Sequence, residues 1–368
     1  MPEIGAHQLE VAETLIGVGR FLVIFVAARL LAELLVRLQL PTILGELIAG
    51  VIIGASGLHL IVPPETQAAL SQGLLQLVGS LADVPPDVVS HLYAESFPSL
   101  QAVATLGLFA LLFLTGLESD LDELVAVGGQ ATTVAVAGVA LPFALGTAGL
   151  MAFFHVDVIP AVFAGASMTA TSIGITASVF GELKMLRSRE GQIVIGAAVL
   201  DDILGIVILA VVVAVVGGGA FSIGPVVKLC LAAVAFVAVA LVLSRTAAPA
   251  FDWVVDRLKA PGDVAVASFV VLTLCCFAAQ AIGLEAALGA FAAGLILSAS
   301  KHTHDIDAAV KPLVALFATV FFVLIGQLIS AAAIDHFGLF TANITPLTAT
   351  RAAGIAVMAL GVWITQRA

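Results

Sequence analysis

Charge is what this chain of 368 residues most lacks: Asp, Glu, Lys and Arg together make up 11% of it, about half their share in an ordinary soluble domain. No water-soluble core can absorb the 61% that are apolar. Cysteine is almost absent too. Cys230, Cys275 and Cys276 lie inside apolar runs, which leaves small hydrophobes and neither a disulfide framework nor zinc-ligand spacing. The first residues, Met1 to Glu13, have no basic stretch and no small-residue cleavage site, so membrane insertion is expected to rest on the first spanning helix. The net charge of −11 says little, because the acids sit mostly in loops and in a few intramembrane positions; no nucleic-acid partner and no resident cofactor are expected.

What is present is a succession of apolar windows, each near the 20 or so residues that span a bilayer core of about 30 Å. Pro, Gly and charge breaks divide them into eleven expected spans at about 14–36, 42–62, 98–117, 124–153, 158–181, 190–216, 223–244, 263–282, 284–299, 312–333 and 346–366. The expectation is an all-α polytopic membrane protein in a single membrane domain. The one long connection, residues 63 to 97, has room for a short interfacial helix. Cationic residues set the orientation. With the N-terminus outside, Arg37, Lys184, Arg187, Arg189, Arg245, Arg257, Lys259, Lys301, Lys311 and Arg367 all fall on the cytoplasmic side, and the outer loops hold none of the 14 Lys and Arg.

Ionisable groups deep in a span cost several kcal/mol and mark function by default. Asp201-Asp202 sits in the middle of the 190–216 span with apolar helix on both sides. Burial, and the second carboxylate beside each, disfavour the doubly ionised pair, so either a proton or a hard cation can occupy it. Competition between the two for one carboxylate would enforce exchange; a neutralised structural pair is the alternative. In the preceding span, Ser167-Met168-Thr169-Ala170-Thr171-Ser172-Ile173-Gly174-Ile175-Thr176 puts a cluster of hydroxyls and glycine at mid-membrane depth, poor material for a continuous helix. Such a stretch opens the helix to line an ion site, or merely lets helices pack closely, or holds hydroxyls that bond back to their own helix. A proteolytic carboxylate pair is excluded, because neighbours on one helix point about 100° apart and cannot share a catalytic water.

Pro41-Thr42-Ile43-Leu44-Gly45-Glu46 with Ala49-Gly50, Leu111 to Glu118, Thr169 to Thr176, Leu200-Asp201-Asp202, Leu288-Gly289-Ala290-Phe291 with Ala293-Gly294, and Phe321 to Gly326 follow one another in a familiar order. Over roughly residues 14–330 the chain resembles the monovalent cation:proton antiporters of the Kef/Nap type. The resemblance implies an inverted-repeat fold with a broken crossing helix. It implies a homodimer in the cytoplasmic membrane of a prokaryote that exchanges Na⁺ or K⁺ for protons by alternating access, as a transporter and not an enzyme. Asp202 would be the principal ion and proton carrier and Asp201 its partner, with Thr169, Thr171 and Ser172 near the unwound crossing. Residues 14–117 and 263–333 would form the dimerisation scaffold, 124–216 and 346–366 the ion-transport core, and 223–244 the linker. Two departures accompany it. The family's lysine in the span corresponding to 346–366 has no counterpart, since no Lys follows Lys311. The pattern also continues with two more helices, so the expectation is a chain apparently lacking them, or alternatively a truncated, non-transporting or regulatory fragment.

Smaller signals complete the reading. Arg29 and Glu33 are spaced i,i+4 for local pairing, and Arg20 is expected to pair locally or snorkel. Glu46 is placed at a cytoplasmic mouth and Glu285 at the membrane interface. His302, His304 and His155 are expected to be solvated. Gln327 either bridges helices or lines a path.

Overall fold

The computed structural model describes residues 5–55, 57–64, 70–169, 172–216, 223–258, 260 and 262–337. Thr171, Lys259 and the expected span at 346–366 lie outside them. In chain order the helices are α1 (Ala6–Arg37), α2 (Thr42–Ile53), α3 (Gln72–Ala82), α4 (Pro86–Glu95), α5 (Phe97–Glu118), α6 (Leu121–Ala126), α7 (Gly128–Phe154), α8 (Val158–Ser167), α9 (Ile173–Glu182), α10 (Arg189–Val216), α11 (Ile223–Thr246), α12 (Ala248–Val255), α13 (Asp263–Ala281), α14 (Ala286–Leu297) and α15 (Thr303–Phe337). Among the described residues, five helical stretches are long and apolar enough to cross a bilayer: α1, the α4–α5 run, α7, α13 and α15 within Thr303–Gln327. Residues 230–255, bent by 54° between α11 and α12, make a sixth if counted as one span.

Each of the first ten expected spans coincides with helix, but α2, α8, α9 and α14 are short. The 42–62 span ends as helix at Ile53. There the amides of Leu58 and His59 turn back to the carbonyls of Ile52 and Gly54, and His59 takes a left-handed φ of 55°. The 63–97 connection carries two helices rather than one. Asp83, left-handed at φ 55°, closes α3, and Pro86 opens α4 in the first-turn position where a missing amide costs nothing.

The described residues gather into two compact units, one up to Leu108 with the return from Pro312, the other from Phe109 to Lys311. In the first, α1 buries Ala12, Ile16, Ile24 and Ala28 against Ile53, Val89, Tyr93, Phe97 and Val323. Its opposite face exposes Val18, Leu22, Val26, Leu30 and Leu34 at helical spacing. A helix apolar on both faces, with one turned outward, is suited to hydrocarbon and not to water.

Arg20 does not snorkel. It is 4% exposed, donates through Nη1 to Ser96 Oγ at 3.0 Å and through Nη2 to the Tyr93 carbonyl, and its guanidinium carbon lies 3.7 Å from the Tyr93 ring centroid. Tyr93, the only tyrosine, accepts from Val62 N at 3.1 Å and donates to Leu60 O at 3.2 Å, which fixes the ring for that stacking. The group is held by neutral acceptors and a π face, so packing dominates over charge pairing. Arg20→Ala is therefore expected to lower stability by about 2–4 kcal/mol, and Arg20→Met, which refills the volume, by much less. Thermal unfolding in detergent checks the ranking. Glu33, for its part, pairs with Arg37 at 3.4 Å instead of Arg29, on an exposed face where either partner would do.

Two helix crossings rely on glycine in reciprocal pairs. In the first unit, a Cβ on Gly50 would overlap the Val323 carbonyl, and one on Gly326 would overlap that of Leu47. In the second, Gly116 faces the Phe291 carbonyl and Gly294 that of Phe113 in the same way. Backbones approach this closely only where side chains are missing on both sides. Gln327, 1% exposed, packs its side chain against Gly54.

Candidate ion-binding site

The Ser167–Ser172 stretch does interrupt its span: α8 stops at Ser167 and α9 starts at Ile173. The hydroxyls serve the two helix ends. Thr169, 3% exposed, donates to the Ala166 carbonyl at 2.8 Å. Ser172, the N-cap of α9 and exposed, accepts from Ile175 N at 3.4 Å. A hydroxyl that satisfies a terminal backbone group competes with helix continuation. The break thus brings a helix C-terminus, with its partial negative charge, near a helix N-terminus of opposite sign. Gly165 lets α8 lie against α7 at Phe143 and Thr147.

Both halves of the broken span pack on α10, which carries Asp201 and Asp202. The two carboxylates have different surroundings, as adjacent helical positions require. Asp201 is 7% exposed on the face that also buries Ala197 and Ala198. Asp202 is half-buried, flanked on α10 by Val199 and Ile203, which pack against Leu284 and Leu288 around the start of α14.

That packing brings in a residue the sequence reading left at the interface. Glu285, the N-cap position of α14, lies close enough for its charge to act on Asp202, as does that of Asp201. The signal was a carboxylate opening an apolar helix; which helix it would face depends on tertiary packing. In the first unit, Glu46 accepts a hydrogen bond from Thr319 Oγ1 at 2.8 Å, linking α2 to α15.

A carboxylate pair inside an apolar helix, next to a helix that opens on hydroxyls, is material for binding small cations. Residues 21–368 match the family described as sodium/hydrogen exchanger, transmembrane. The chain belongs to that family. It is 45% identical over 305 residues to the high-affinity Na⁺/H⁺ antiporter NhaS3 of a Synechocystis strain, an alignment covering 83% of this chain and 66% of the relative. It is 29% identical over 306 residues to the Na⁺/H⁺-K⁺ antiporter GerN of Bacillus cereus, covering 83% and 69%. It is 30% identical over 314 residues to cation/H⁺ antiporter 20 of Arabidopsis thaliana, covering 80% and 34%. The matched segment thus spans about two thirds of the length of the bacterial relatives. The family is one of transporters and not of enzymes, and this chain is a multi-pass membrane protein.

Proposed function

We propose that this chain is a secondary active transporter that exchanges Na⁺ or K⁺ for protons, with Asp202 as the principal carrier and Asp201 as its partner. The observation that carries the proposal is the pair of carboxylates on α10, one buried and one half-buried, packed beside the interrupted α8–α9 span. The names of the relatives support the same exchange for them.

Asp202 is less buried than Asp201, and its position next to a second carboxylate disfavours two uncompensated negative charges. A proton or a cation relieves that repulsion, and each excludes the other. The carbonyls at the end of α8 and the hydroxyls of Thr169 and Ser172 are oxygen groups of the kind hard monovalent cations take, and Thr171, outside the described residues, is assigned to the same set. Turnover follows if the occupied site is exposed to the two sides in turn and the unoccupied, doubly charged site is not.

The reading extends to architecture. The inverted-repeat fold, the homodimer, the cytoplasmic membrane and an outer N-terminus are part of it. So is a scaffold of residues 14–117 and 263–333 around a core of 124–216 and 346–366, joined by 223–244. The glycine crossings of α2 with α15 and of α5 with α14 lend support, since both join helices assigned to the scaffold. In proteoliposomes carrying an imposed pH gradient, adding Na⁺ or K⁺ outside is expected to dissipate the gradient, and a pH-sensitive dye reads the result. A gradient indifferent to both cations overturns the proposal.

A further inference from the structure

On the side rich in Lys and Arg, within the second unit, the turn from α9 to α10 faces the end of α5 and the first turns of α15 across a pocket of about 670 Å³. That is within the size range of small-ligand sites. The exchange reading gives it no task. Leu117 and Leu186, both buried, form its apolar part. Glu118, Lys184, Arg187, Asp307 and Lys311 line the rest, three cations against two acids. His304 stands exposed at the same pocket, as expected, whereas His302 turns to the end of α12, its Nε2 3.1 Å from Asp256 Oδ1 beside the Ser300–Asp252 hydrogen bond.

Both acids are engaged by one lysine: Lys311 Nζ lies 2.7 Å from Asp307 Oδ2 and 3.4 Å from Glu118 Oε1. The turn opposite is left without a countercharge. Arg187 uses only its Nε, which donates to the Glu118 carbonyl at 3.0 Å and so holds the guanidinium at the pocket with its two terminal nitrogens available. The Lys184 ammonium is exposed and has no hydrogen-bond or ion-pair partner among the described residues. A second group is unmet: Asp307 Oδ1 is buried and accepts from no donor among them. An acceptor shut away from water is costly to leave so.

An occupant that answers this pattern brings a phosphate for the two cations and a hydroxyl for the orphaned acceptor. Guanidinium binds phosphate as a planar fork and ammonium as a point charge, both through charge-assisted hydrogen bonds. Leu183 and Met185, exposed on either side of Lys184, put apolar side chains at the rim, where the acyl part of a lipid would lie. Basic pockets between spanning helices are of the kind that takes lipid phosphates.

We propose that this pocket binds a hydroxyl-bearing phosphate ester, with Lys184 and Arg187 holding the phosphate and Asp307 accepting from the hydroxyl. The turn that supplies both cations joins the interrupted span to α10, so the ligand rests at the ends of α9 and α10. The proposal goes beyond ion exchange and is tested without flux. Two probes separate a soluble source from a lipid one: glycerol phosphate and short-chain phosphatidylglycerol. Each is titrated against the purified full chain in lipid-depleted detergent and followed by its phosphorus NMR line width. Saturable broadening of at least one is expected, and the one that saturates names the source. Methyl phosphate and short-chain phosphatidylmethanol, which keep the phosphate and lose the hydroxyl, should bind severalfold more weakly. Lys184→Gln should weaken binding about tenfold or more. Arg189→Gln, which removes a neighbouring cation that reaches Gln130 instead of the pocket, should leave it unchanged. Equal thermal midpoints without ligand show that Lys184→Gln keeps the fold. Saturation by neither probe, equal binding of the methyl forms, or the same affinity in Lys184→Gln as in Arg189→Gln overturns the proposal.

Discussion

Asp202→Asn is expected to reduce cation-dependent proton movement in proteoliposomes to the level of protein-free vesicles. An amide can neither release the proton nor balance the charge of a bound cation. Removing one partner of a desolvated charge pair costs about 3–5 kcal/mol, a factor of about a hundred or more in occupancy at 1.4 kcal/mol per tenfold. Asp201→Asn leaves the half-buried carboxylate on α10 in place and should shift the apparent cation affinity more than it lowers the maximal rate. The same dye measurement separates them: a rate that falls at every cation concentration marks the carrier, one that recovers at high concentration marks its partner. Flux retained in Asp202→Asn would remove that residue from the mechanism.

Gly294→Val is expected to be the most damaging substitution to folding. A Cβ there would press on the Phe113 carbonyl and come within 2.7 Å of Leu117 N, and the partner Gly116 is equally confined by Phe291 and Leu295. What stands in the way is backbone, which no rotamer change moves, so α5 and α14 must separate. Overpacking costs about 1–3 kcal/mol where side chains can adjust, and the upper end or more is expected here. Gly138→Ala on α7 is the control. Nothing lies within 4 Å of its added Cβ, and exchanging Gly for Ala in a helix is favourable by up to about 1 kcal/mol. Thermal midpoints in detergent read both. A Gly294→Val protein that unfolds with the wild type would mean the crossing is looser than described.

Helix positions were legible because hydrocarbon demands long apolar runs and the breaks between them are chemically plain. The interruption at Thr169–Ser172 was readable for a similar reason: hydroxyls that can satisfy their own backbone weaken a helix locally. Contacts between distant segments were not readable. Arg20 lies in an otherwise apolar window, and only the arrival of Tyr93 and Ser96, more than 70 positions later, gives it acceptors. Glu285 marks a helix start in the sequence and becomes a neighbour of Asp202 only through the packing of Leu284 and Leu288 on α10. His302 looked like surface because Asp252 and Asp256 lie some fifty positions before it. Where α2, α8, α9 and α14 are too short to cross alone, hydropathy averages over the turn and hides the stop.

The reciprocal glycine pairs restrict how these helices can travel. Two rods whose main chains mesh like gear teeth cannot slip by one residue without first lifting apart. Along the membrane normal, α5 and α14 near Gly116 and Gly294 must therefore rise or sink together. Labels placed on the two near this crossing should keep a constant separation through the whole transport cycle, whatever distances change elsewhere.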